Sequence, residues 1–160
     1  MQKKVLCLGL ATLVSGGVCA GERIQINGNY GAIDKSQILE LGANHVLILN
    51  SSEGTGYMLS GPNADNPMQH SAGPCSGMVE LKDGKAVIGQ GYCVRTNPQG
   101  GKWLVKWGVP PGTDGSSGTW TISGIEGNTV GWKGEGTWGP VIVTGKDRYL
   151  NPFKGWLEKP

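Results

Sequence analysis

Cysteine supplies the most definite chemistry in this chain. Four are present, of which Cys7 and Cys19 fall within the first twenty residues, leaving Cys75 and Cys93 for the folded part. Two cysteines in an exported chain most simply form one disulfide, worth about 3 kcal/mol for a loop of this length in the chain-entropy model. The rival readings are a free thiol pair or a metal site; a metal needs further ligands, and His70 is the one nearby candidate. His45 opens the apolar run Val46-Leu47-Ile48-Leu49, where a solvated strand-end histidine is a simpler reading than a base at a cavity mouth. The acids near predicted strands, Glu80, Glu126, Glu135 and Asp147, are scattered, and the sequence sets no two of them together for acid–base work. Arg95 has the strand parity of Gly91 and Cys93. Pointing inward it would need an anionic partner; at the strand end it would sit in water. Gly134-Glu-Gly136-Thr-Trp-Gly139 spells G-x-G-x-x-G, but it lies inside a strand pattern and runs into Pro140 instead of opening a helix onto a phosphate. There is no P-loop, no G-x-S-x-G elbow and no H-E-x-x-H, so no catalytic constellation stands alone.

The N-terminus bears on where this chemistry takes place. Lys3 and Lys4 precede a short apolar run, Val5 to Val14, and Val18-Cys19-Ala20 fits a small-residue cleavage rule. Residues 1–20 therefore read as a secretory signal peptide cut before Gly21, placing the protein in the periplasm or outside the cell. The apolar run is too short to span a bilayer, which takes ~20 residues, and Val18 before Cys19 argues against lipidation. The chain holds 14 Lys+Arg against 12 Asp+Glu, and the two lysines of the signal account for the excess. A neutral mature chain has no general electrostatic pull toward nucleic acid or anionic lipid. Nothing in its motifs calls for a cofactor. Its remaining length suits one domain, residues 21–160.

The elements that must position these residues are strands. With 29 glycines and no helical periodicity over three turns, short β-rich runs alternate with turn clusters. Strands are expected near Arg23–Asn27, His45–Leu49, Gly56–Ser60, Cys75–Lys82, Ala86–Thr96, Lys102–Gly108, Gly118–Gly124, Gly131–Trp138, Val141–Thr144 and Phe153–Glu158. Asp34–Leu41 is the best candidate for a short helix, although Ile38, Leu39 and Leu41 make no clean stripe. Asp83-Gly84 centres a tight hairpin, Asn50-Ser51-Ser52 is a formal glycosylation sequon that reads as a turn, and Pro62–Pro74 has the look of a mobile rim.

Within the predicted strands the tryptophans keep one parity. Trp132, Gly134, Gly136 and Trp138 fall on one face while Lys133, Glu135 and Thr137 fall on the other. Trp103, Val105 and Trp107 alternate with lysines in the same way, and Trp120 sits in a third such strand. Large-small-small-large on one face and polar on the other is the pattern of a strand lining a small barrel. The expected fold is all-β: a single antiparallel β-barrel of about eight strands with one disulfide. Five of the six tryptophans would then face one interior, either filling it or lining a cavity with Arg95 among them.

Cys75-Ser-Gly77, Gly89-Gln-Gly91-Tyr92-Cys93, Gly118-Thr-Trp120, Gly134-Glu-Gly136-Thr-Trp138 and the closing Gly155-Trp156 resemble a bacterial exported member of the allene oxide cyclase-like, dirigent-like β-barrel superfamily. The resemblance covers about residues 73–158 and rests on structural glycines and aromatics. Asn97-Pro98-Gln99-Gly100-Gly101 and Gly124-Ile-Glu-Gly127-Asn-Thr129 depart from the family's usual turns. Plant relatives cyclise fatty-acid epoxides or steer radical coupling inside the barrel; their catalytic residues match no position here. Three expectations of function follow. The first is a binding barrel holding a small hydrophobic ligand against Trp103, Trp107, Trp120, Trp132, Trp138 and Arg95. The second is a cyclase or isomerase that shapes its substrate, and the third an inhibitor or immunity-type domain that engages a protein partner through the Pro62–Pro74 and Val109–Gly115 loops.

Overall fold

The computed structural model describes residues 21–60 and 66–160, so the signal-peptide reading of residues 1–20 lies outside the described residues. The alternation of large and small residues becomes ten strands: β1 Arg23–Asp34, β2 Gln37–Gly42, β3 His45–Ser60, β4 Ala72–Lys82, β5 Lys85–Thr96, β6 Lys102–Val109, β7 Gly118–Glu126, β8 Lys133–Trp138, β9 Ile142–Gly145 and β10 Arg148–Glu158. All pairings are antiparallel, in the order β1-β10-β8-β7-β6-β5-β4-β3, and a β1–β3 pairing closes the circle. That is an eight-stranded barrel, which leaves no free sheet edge around its girth. β2 and β9 are the two extra strands; β2 continues the path of β1 along β3, and β9 continues β8 along β10.

Strands β1, β5 and β7 alternate most cleanly between buried and exposed residues. In β5 the pattern runs Gly89, Gly91, Cys93, Arg95 inward and Gln90, Tyr92, Val94 outward; in β7 Gly118, Trp120 and Ile122 are buried. Cys75 and Cys93 are direct cross-strand partners on β4 and β5, and they form the disulfide. The hairpin at Asp83-Gly84 has positive φ at both residues, 51° and 71°, the geometry that matches the twist of two flanking strands.

Three local expectations are corrected. Asp34–Leu41 is not a helix: β1 ends at Asp34 and β2 starts at Gln37, because the upper part of β3 offers an edge that β2 pairs, Gln37 to Leu49 through Glu40 to Val46. Asn50-Ser51-Ser52 is not a turn but the middle of the continuous strand β3, with Ser52 opposite Asp34 and Cys75. The glycine that follows, Gly54, looks like a turn residue yet serves close approach, since a Cβ there would strike the Gly31 carbonyl. Of Pro62–Pro74, residues 66–71 form a hydrogen-bonded turn in which Asn66, Pro67 and Ser71 are buried, and Ala72–Pro74 belong to β4. That part is a plug and not a rim; residues 62–65 lie outside the described residues.

Candidate functional site

The plug divides the lumen. Trp103 Nε1 and Asn97 Nδ2 both donate to the Pro67 carbonyl, at 3.1 and 2.8 Å, which holds the 66–71 turn in the end of the barrel where β5 runs into β6. Asn97 also bonds Asn128 across that end and accepts from the Gly101 backbone. Above the plug lies a solid layer. Trp103 is fully buried and meets Trp132 edge to face, with centroids 6.5 Å apart, and Ile24, Ile26, Ile122 and Leu157 complete the packing.

The other half of the lumen is hollow. A cavity of about 360 Å³ opens toward the end that carries β2, β9 and the Val109–Gly115 loop. That volume lies within the ~300–1,000 Å³ range of small-molecule sites. Its apolar walls are Trp107, Trp120, Trp138 and Phe153, with Val79 and Val105 between them. The rings lie against the wall because the strands beside them carry glycine. Trp107 covers Gly91 and Gly77, and a Cβ on either would collide with its ring; Trp120 covers Gly136 and Gly155, where a Cβ would come within 2.6 Å of Cζ2. A ring laid flat over two glycines occupies the space their side chains would have taken, so it paves the wall and leaves the centre open. Trp120 Nε1 donates to the Thr137 carbonyl and Trp138 Nε1 to the Thr119 carbonyl, which fixes both ring planes.

The polar groups gather at the floor. Arg95, only 6% exposed, reaches from β5 across the lumen to β1, where its guanidinium lies 3.9 Å from the Tyr30 ring centroid. Nη1 donates to the Ser71 carbonyl at 3.4 Å and Nη2 approaches the Cys75 sulfur at 3.9 Å. No carboxylate among the described residues pairs with it. Burial pulls the Arg95 pKa below the usual arginine value, opposed by the electrostatic pull of Tyr30 and Tyr149. Tyr149, edge-on to Tyr30, donates to Ser52 Oγ at 3.0 Å, and burial raises its phenol pKa. Asn151, the cross-strand neighbour of Tyr30, turns a buried Oδ1 into this space with no hydrogen-bond partner among the described residues. The two carboxylates that line the cavity, Asp34 and Asp114, are at its upper end. Asp34 accepts from Ser36 and Asp114 from Ser116, each two residues on, and the Ser116 bond lowers the Asp114 carboxyl pKa.

Six residues were read as candidate ligand contacts, and the structure separates them. Trp107, Trp120, Trp138 and Arg95 line the cavity; Trp103 and Trp132 fill the solid end and do not reach it. The strand-end reading of Arg95 is overturned in favour of the inward one. His45 and Glu80 bond each other at 2.7 Å across β3 and β4 outside the cavity, so neither is a base at its mouth. Tyr30, Tyr149 and Asn151 were missed, although the parity of Phe153 and Gly155 extended back along β10 points to the last two. Among the described residues no group of three or more His, Cys, Asp and Glu can hold a metal ion, and no helix is long and apolar enough to cross a membrane. No protein-family model matches the chain, and no curated protein matches it.

Proposed function

We propose that this is an exported binding barrel that holds a small hydrophobic ligand in its tryptophan-lined cavity. The observation that carries the reading is the half-hollow lumen: an apolar, open-ended cavity of about 360 Å³ faced by Trp107, Trp120 and Trp138. Apolar surface facing empty space gains from any hydrophobe that displaces the poorly bonded water there. The signal-peptide reading of residues 1–20 and the Cys75–Cys93 disulfide support a place in the periplasm or outside the cell. The resemblance to the allene oxide cyclase-like superfamily, whose plant members work inside the barrel, supports the same use of the lumen.

Native mass spectrometry of the protein purified after periplasmic export tests it. An excess mass lost on denaturation is the expected result, with tryptophan fluorescence shifting when the matching hydrophobe is added back. A bare mass, together with silence across a broad lipid and aromatic panel, would overturn it. A second reading, a cyclase or isomerase that shapes its substrate, is favoured by one observation: a buried cation and the Tyr149 hydroxyl face the same lumen. It requires that a bound ligand leave altered, which the same mass measurement detects. The protein-partner reading is weaker, because Asp114 and Gly115 of the Val109–Gly115 loop face the cavity and the 66–71 turn is packed inside.

A further inference from the structure

At the floor of the cavity lies a cation that no carboxylate among the described residues pairs with. Arg95 presents five N–H donors, and its printed contacts among the described residues, the Ser71 carbonyl at 3.4 Å, the Cys75 sulfur at 3.9 Å and the Tyr30 side chain, leave donors to spare. A guanidinium taken out of water costs heavily unless it is paired, and the Tyr30 face compensates only in part. The fold nonetheless spends the longest side chain of β5 on reaching into the lumen. Beside Arg95, Asn151 keeps an Oδ1 with no hydrogen-bond partner among the described residues, and a rotated amide would present Nδ2 donors to the same space. Asp34 and Asp114 put the cavity's negative charge at the opposite, outer end. The field along the cavity axis is therefore positive inside and negative at the mouth.

We propose that the cavity takes an organic anion head first, its carboxylate seated on the Arg95 guanidinium and its apolar body against Trp107, Trp120 and Trp138. The proposal rests on the binding reading above and adds to it the charge and the orientation of the ligand. The head gains charge-assisted, bidentate hydrogen bonds in a water-poor site, where they are strongest. The outer carboxylates repel the same head if it stays at the mouth. The volume suits a compact body more than a long one, so both a flat and a chain-like acid belong in the test.

The experiment measures affinities by calorimetry for two matched pairs: 2-naphthoate with 2-naphthylmethanol, and decanoate with decanol. The wild-type protein is expected to bind the acid of at least one pair about 10–100-fold more tightly than its alcohol, the range for losing a hydrogen-bonded charge. In Arg95→Met that preference falls to near onefold while alcohol binding persists, and Arg95→Lys restores part of it. Trp107→Ala weakens acid and alcohol together. If wild type binds an alcohol as tightly as its acid, the anion proposal is wrong and the binding reading stands. If no probe binds and no retained mass is found, the binding reading itself fails. Should Arg95→Met not fold, the wild-type ratio alone still decides. The naphthyl and decyl arms distinguish a flat ligand from an acyl chain.

Discussion

The closed and open halves of the lumen are built from the same materials and end up in opposite states. Both are faced by tryptophans that turn into the lumen, Trp103 of β6 and Trp132 just before β8 in one, Trp107, Trp120 and Trp138 in the other. In the closed half, Trp103 and Trp132 point at each other across the axis and are backed by the 66–71 plug, so the rings meet and water is excluded. In the open half, Trp107 and Trp120 lie over glycines of neighbouring strands and border the cavity, Trp120 meeting Phe153 edge to face at 6.3 Å. The comparison teaches that ring count does not set whether a barrel is hollow. Ring orientation does, and orientation follows from where the neighbouring glycines stand. The closed half is built for stability; the open half forgoes packing and keeps a buried charge, as binding sites commonly do.

Truncating one ring in each half should separate the two most strongly. Trp103→Ala removes a fully buried side chain and its bond to Pro67, and should cost about 3–5 kcal/mol in denaturant unfolding. Trp107→Ala enlarges a space that is already open and should cost roughly half as much or less. Equal costs would mean that the cavity is filled in solution and the contrast is false. Next in size, Gly91→Ala puts a Cβ into the Trp107 ring and drives it off the wall. The expected penalty is about 1–3 kcal/mol, with a red-shifted or quenched tryptophan emission as the ring moves. An unchanged spectrum would show that the ring does not lie on this glycine.

The smallest effect concerns pH at the closed end. The Glu158 carboxylate accepts from Lys133 at 2.9 Å and Arg23 at 3.1 Å, and chiefly the Lys133 bond, then Arg23, holds its pKa below the ordinary carboxylate value against the effect of burial. A carboxyl whose folded pKa is depressed stabilises the fold above the unfolded value and loses that contribution as pH falls through the folded one. Thermal midpoints recorded from about pH 5 down to about pH 3 should therefore fall less steeply in Glu158→Gln than in wild type. Parallel curves would remove Glu158 from the account.

Much of the fold was legible because strand parity is local. Each residue turns its side chain to the opposite face from the last, so Trp132 to Trp138 and Lys102 to Trp107 declared their inner faces without any knowledge of neighbours. The Asp83-Gly84 hairpin and the Cys75–Cys93 pair were legible for the same reason, since turn geometry and export chemistry act over short range. The misses have the opposite cause. Asn50–Ser52 looks like a turn because its residues favour turns, yet β4 pairs all three residues and β1 pairs Ser52. The Gln37–Leu41 part of the expected helix becomes a strand because β3 supplies its partner. The parity of Arg95 was readable, but whether it met water depended on where the barrel end was sealed.

By itself, then, the sequence determined an all-β chain with one set of large and small residues facing inward and one disulfide across two of its strands. Only the tertiary structure decided that the barrel closes through β1 and β3, that residues 66–71 plug one end, and that Arg95 lies buried as the floor of what remains open. The physical reason is range. Side-chain alternation is written residue by residue along the backbone, whereas filling a lumen depends on which ring faces which glycine across strands far apart in the chain.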